Sequence, residues 1–114
     1  MDESIFDSIK ALIGPDASYE AFDQDILIHI NTAISTLTQL GVGPKEGFTV
    51  TGPDEKWSDL IGTNAMLNMV KTYIYMKVRL AFDPPAGSTL SAYQDACKEF
   101  EWRINVTVDP SLMN

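Results

Sequence analysis

Between Ile26 and Leu40 the apolar residues Ile26, Ile30, Ala33, Ile34, Leu37 and Leu40 return every three or four positions, the period of an α-helix with one buried face. Asp23 is placed to cap this helix and Gly41 to end it. A stripe this regular must be covered by other elements, and the rest of the chain offers the same period. Ile5, Phe6, Ile9, Leu12 and Ile13 mark a helix from Ser4 to Ile13 that Gly14-Pro15 stops. Trp57 to Ile61 reads as a short helical turn. After Gly62, Met66, Leu67, Val70, Tyr73, Ile74, Lys77, Val78 and Ala81 mark a third main helix, with the Lys77 stem covering apolar surface at its edge. Phe82-Asp83-Pro84-Pro85 ends it, because proline has no N–H to donate and pushes its predecessor out of the helical region. Ser88 or Thr89 then caps a fourth helix carrying Leu90, Tyr93, Cys97, Phe100 and Ile104.

Two stretches fall outside this period. From Gly41 to about Lys56 the chain is rich in Gly, Pro and charge around one short apolar stretch, Phe48-Thr49-Val50, which reads as a single strand or a small hairpin arm. Long loops in small domains are functional or disordered, so this one is a candidate contact arm. Residues Asn105 to Asn114 read as an extended C-terminal tail, mobile until something holds it. With 114 residues, 45% of them apolar, the chain buries one modest core and is expected to form a single domain, residues 1–114. The expected fold is all-α: a small four-helix domain with a protruding loop between the second and third main helices.

Sixteen acidic residues against eight basic give a net charge of -8, which leaves no cationic surface for neutralising phosphates. No apolar run approaches the roughly 20 residues of a membrane span, and Met1-Asp2-Glu3-Ser4 is unlike the start of a signal peptide. A cytosol-like compartment and no membrane partner are therefore expected. The single cysteine, Cys97, excludes an internal disulfide or a thiolate metal cluster within one chain.

The residue types that carry catalysis do not converge. His29 is the one histidine, beside the apolar stripe and four residues after Asp25, and Cys97 lies on the stripe of the last helix, where a thiol acts as a small hydrophobe. The carboxylate pairs Asp23/Asp25 and Glu99/Glu101 are two residues apart, a spacing that points helix side chains in different directions. Asp54 and Glu55 lack the spacing of a calcium loop, and Gly41 and Gly43 lack the further residues of a phosphate loop. No enzymatic activity, catalytic residue, cofactor or metal is expected. Most late aromatic residues fit the core, but Tyr75 and Trp102 lie off their stripes, with Arg79 one turn after the first and Arg103 beside the second. Off-stripe aromatic residues and arginines are the types that anchor protein interfaces.

Three stretches carry a resemblance: Trp57-Ser58-Asp59-Leu60, then Lys71 through Arg79-Leu80-Ala81-Phe82-Asp83-Pro84-Pro85, then Glu99-Phe100-Glu101-Trp102-Arg103-Ile104-Asn105. The chain resembles the small head-tail connector proteins of tailed phages and of prophages in Gram-positive bacteria, also called adaptor or head-completion proteins. The resemblance covers the second half well and the first half in helix order. It implies a structural virion subunit without enzymatic activity or cofactor, which forms a ring of about twelve copies beneath the portal, a closed head-to-tail assembly. The implied place is the head-tail junction of the virion, reached from the bacterial host cytoplasm during assembly. The implied partners are further copies of the chain, the portal protein, a stopper or other head-completion or tail protein, and passing DNA contacted without sequence specificity. An acidic channel wall repels the phosphate backbone and lets DNA slide.

Candidate contact residues follow from both readings. Phe48, Thr49 and Val50 form the centre of the loop that reaches a neighbouring subunit, the portal or the channel. Val106 and Val108 lie in a tail that adds a strand to a partner's sheet edge. Tyr75, Arg79, Trp102 and Arg103 form one face of the heterologous contact between copies, unless Arg79 and Arg103 pair internally with Asp83, Glu99 or Glu101. The alternative function is an acidic helical binding module of phage or mobile-element origin that masks a host protein or mimics DNA charge. A DNA mimic needs a dense acidic stripe, and here the carboxylates are scattered along the chain.

Overall fold

The computed structural model describes residues 3–14, 20–62, 67–82 and 84–108. They form five helices: α1 Ile5–Ile13, α2 Asp23–Gln39, α3 Trp57–Ile61, α4 Leu67–Phe82 and α5 Ser88–Val108. No sheet forms among them, so the expected all-α class is the observed one.

Helix α4 is the centre of the domain, with α1, α2 and α5 all packed against it and α1 also against α2. That position explains why Val70, Tyr73, Ile74, Met76 and Val78 are all buried although they spread around much of the helix. Pairings along the helices fix their directions. Phe22 at the start of α2 meets Phe82 at the end of α4, edge to face at 5.2 Å between centroids, so α2 and α4 run antiparallel. The phenol of Tyr73 reaches Glu101 while Arg79 lies over Tyr93, so α4 and α5 run antiparallel as well. The α2 stripe Ile26, Ile30, Ala33, Ile34 and Leu37 is buried as its period requires.

Helix ends are closed locally. The Ser4 hydroxyl accepts from the Asp7 N–H at 3.2 Å at the start of α1. Gly14 ends the helix in the left-handed region (φ 116°), its N–H donating to the Lys10 carbonyl at 3.1 Å. Asp23 is the first residue of α2 and not its cap; Phe22 occupies the cap without a side-chain hydrogen bond. The Asp23 carboxylate instead holds the Lys10 ammonium at 2.8 Å. At α3 the Asp59 carboxylate accepts from the Lys56 N–H at 2.9 Å.

Segments far apart in sequence are stitched together at the start of α1. The Ile5 N–H donates to the Glu55 carbonyl and the Trp57 N–H to the Glu3 carbonyl, a single antiparallel bridge of Ser4 with Lys56. The buried Trp57 indole donates to the Ser8 hydroxyl at 3.1 Å, and Lys71 lies over its ring.

Three further expectations are corrected. Leu12 is exposed and Lys10 is buried in its place on the inner side of α1. Phe48-Thr49-Val50 forms neither strand nor hairpin arm, and the loop does not protrude at its centre: Val50 is buried and Phe48 packs on the core. The C-terminal segment is helical through Val108, four residues into the expected tail, and residues 109–114 lie outside the described ones. Thr107 donates its hydroxyl to the Arg103 carbonyl, Val106 is buried, and Val108 seats against Gly41, where a Cβ would lie 2.6 Å from it. Burial of Val106 outweighs the small helix penalty of a β-branched residue, and a helix to Val108 leaves no strand for a partner's sheet edge in Val106-Thr107-Val108.

Candidate interaction surfaces

The loop between α2 and α3 is held by one side chain. Asn31, on α2, donates from Nδ2 to the Val50 carbonyl at 2.9 Å and accepts from the Val50 N–H at 2.8 Å. The amide thus replaces a neighbouring strand, satisfying both backbone groups of a buried residue. On the outer side, Glu55 accepts from the Thr51 N–H and hydroxyl at 3.1 and 2.7 Å. The hydroxyl bond is the larger cause that holds the Glu55 carboxyl below its ordinary value of 4.5. A depressed carboxyl stabilises the fold fully above the ordinary value and loses that contribution as pH falls through the folded one. Glu55 is accordingly expected to titrate below 4.5 by NMR and to rise toward the ordinary range in Thr51→Val, which keeps the backbone N–H bond and loses the hydroxyl one; an unshifted wild-type midpoint would contradict the geometry.

Between α4 and α5 lie two polar clusters. The buried Tyr73 hydroxyl donates to Glu101 at 2.7 Å and is hydrogen-bonded by Thr36 of α2, so one phenol ties three helices together. Burial first, and then Glu101, push the Tyr73 phenol far above its ordinary value. Tyr73→Phe is expected to lower the unfolding free energy by about 1.5 kcal/mol, read by urea unfolding. In the second cluster Arg79 donates to the Tyr75 hydroxyl at 3.2 Å and lies 5.7 Å from the Tyr93 ring centroid. The guanidinium bond holds Tyr75 below its ordinary value, while Tyr93, hydrogen-bonded to Tyr75, is held above its own.

The outer side of α5 is different. Trp102 is 57% exposed, half a helix turn around from Tyr93, Cys97, Phe100 and Ile104, which point toward the body of the domain. Arg103 pairs with Glu99 at 3.1 Å, both in solvent, a contact worth little. The structure therefore divides the four residues expected to share a face. Tyr75 and Arg79 join Tyr93 in a half-buried cluster, whereas Trp102 and Arg103 lie on the outer side of α5. Of the internal pairings weighed for the two arginines, Arg103 takes Glu99; Asp83 lies outside the described residues.

Cys97 is buried, and burial pushes its thiol up and away from the reactive thiolate. His29 lines a shallow groove with Phe22, Asp25, Ala81 and Phe82. No group of three or more His, Cys, Asp or Glu among the described residues is arranged to hold a metal. None of the described helices is long and apolar enough to cross a membrane.

A family model described as phage connector protein matches residues 5–111. The chain belongs to the phage connector protein family. Neither the search of curated proteins nor that of solved structures found a match. As a phage connector the protein is a structural component of the virion that works with other head and tail proteins.

Sequence reasoning about the connector missed two elements. Asn31 went unnoticed as the loop clamp, although an Asn inside a helix between the buried Ile30 and Ala33 carries a propensity cost that invites a question. Lys10 with Asp23 was also missed; the signal was a lysine four residues after Phe6 on the apolar side of α1.

Proposed function

We propose that the protein is the head-tail connector subunit that forms a ring under the portal, prolongs the DNA channel and docks the next head-completion or tail component. The observation that carries this reading is the family match over residues 5–111, nearly the whole chain. The arrangement of the molecule supports it. Among the described residues the pairs Tyr73 with Glu101 and Lys10 with Asp23 tie helices together. Trp102 stands out in solvent, as an interface anchor does before its partner arrives. The net charge of -8 suits a channel component, since DNA slides past an acidic wall without sticking.

The test is affinity capture of tagged protein from the source strain during phage production, with the captured proteins identified by mass spectrometry. Portal protein together with connector or tail components is the expected catch. A host enzyme or regulator captured alone would overturn this reading in favour of the acidic binding module.

A further inference from the structure

The charge of this chain is unevenly divided. Residues 1–62 hold eleven Asp and Glu against three Lys and carry the whole net charge of -8, whereas residues 63–114 hold five acidic and five basic side chains and are neutral. One of the three lysines, Lys10, is buried against Asp23 and contributes nothing outward. Around α1, the loop before α3 and α3 itself, Glu3, Asp7, Glu20, Asp54 and Asp59 are exposed, with the exposed Lys56 beside them. On that side Asp7 and Glu20 line a groove together with Phe6, Ala11 and Pro53.

The outer side of α5 has the opposite character. Its charged groups are Asp95, Lys98, Glu99 and Arg103, which balance, and they surround the exposed Trp102. Helix α4 packs against both α1 and α5, so the acidic side and the tryptophan side are separate surfaces of one domain. Two acidic sides brought together repel, which disfavours a two-fold contact through α1. The balanced face of α5 admits an acidic surface without that cost, and Lys98 and Arg103 give its carboxylates partners around a central aromatic anchor.

We propose that the α5 face centred on Trp102, with Lys98 and Arg103, docks head to tail onto the acidic α1 side of a second copy of this chain, with Asp7 and the groove beside it as its counterparts. The proposal rests on the connector reading and names the surfaces through which copies meet. A contact between two different surfaces of identical chains repeats and closes into a ring when its rotation allows.

Sedimentation of the full chain over a range of concentrations tests it. Trp102→Ala is expected to weaken self-association at least tenfold, as removal of a central aromatic anchor does, while circular dichroism stays unchanged. Lys98→Glu is expected to weaken it roughly tenfold at low salt, and Asp7→Lys in the same chain to restore it, since the swapped pair is again attractive. Wild-type association in Trp102→Ala overturns the proposal, as does a wild-type chain that stays monomeric at every concentration. Failure of Asp7→Lys to rescue Lys98→Glu overturns the assignment of the acidic side. If Trp102→Ala instead abolishes capture of portal or tail protein while self-association persists, the α5 face belongs to that partner and the proposal fails. The connector reading stands or falls separately, on what the wild-type chain captures.

Discussion

Asp23→Ala is expected to lower the unfolding free energy by about 3 kcal/mol, the low end of the cost of breaking a buried ion pair from one side. The Lys10 side chain is 6% exposed and that of Asp23 26%, and their contact is 2.8 Å. Removing the carboxylate leaves the ammonium beside the Phe6 ring, 5.7 Å from its centroid, in a groove of about 670 Å³. Asp7 and Glu20 line the same groove and relieve part of the cost, which sets the estimate at the low end. The carboxylate also lies in the first turn of α2, where the helix dipole favours it. Replacing both partners by apolar residues, Lys10→Met with Asp23→Leu, is expected to stay within about 1 kcal/mol of the wild type, because no charge is left unpaired. Urea unfolding of the two variants checks the pair. A single variant as stable as the wild type would mean that the ion pair does not hold α1 to α2.

Asn31→Ala is expected to cost about 3 kcal/mol, since it removes two hydrogen bonds and leaves the N–H and C=O of buried Val50 without partners. The local effect is more diagnostic than the global one. With the clamp gone, amide protons and peptide bonds of residues 43–54 are expected to become accessible to exchange and proteolysis while α2 and α4 stay protected. Asn31→Asp keeps the acceptor for the Val50 N–H and faces the Val50 carbonyl with a second acceptor, so a partial loss is expected. Uniform loss of protection across the domain would show that Asn31 supports the core and not the loop. The loop read from sequence as a contact arm is thus seated in the isolated chain, and any use of Phe48, Thr49 and Val50 by a partner starts from the seated form.

How much of this was legible in the residues depends on whether the deciding contact is local. The α2 stripe and the α5 stripe of Leu90, Tyr93, Cys97, Phe100 and Ile104 were readable because periodicity alone says which side is inside. On α1 periodicity gave an apolar arc but not its centre. Leu12 and Lys10 lie on opposite flanks of that arc, and Asp23, thirteen residues downstream of Lys10, draws the lysine in and turns the leucine out. The end of α5 was misread for a similar reason. Val106-Thr107-Val108 is a β-branched run that locally favours extension; what overrides it is the burial of Val106 and the contact of Val108 with Gly41 just past α2, which are contacts across the fold. The family signal came from Arg79 through Pro85 and Glu101-Trp102-Arg103, yet the same residues do not share one surface.

The opposite settings of the two tryptophans equip the chain with a pair of built-in optical reporters. Trp57, sealed in the interior with its indole bonded to Ser8, is expected to emit in the blue and resist quenching by iodide, so its red shift follows loss of structure. Trp102, open to water, is expected to be quenched readily until a partner covers it. One fluorescence trace therefore separates unfolding from assembly without any label attached.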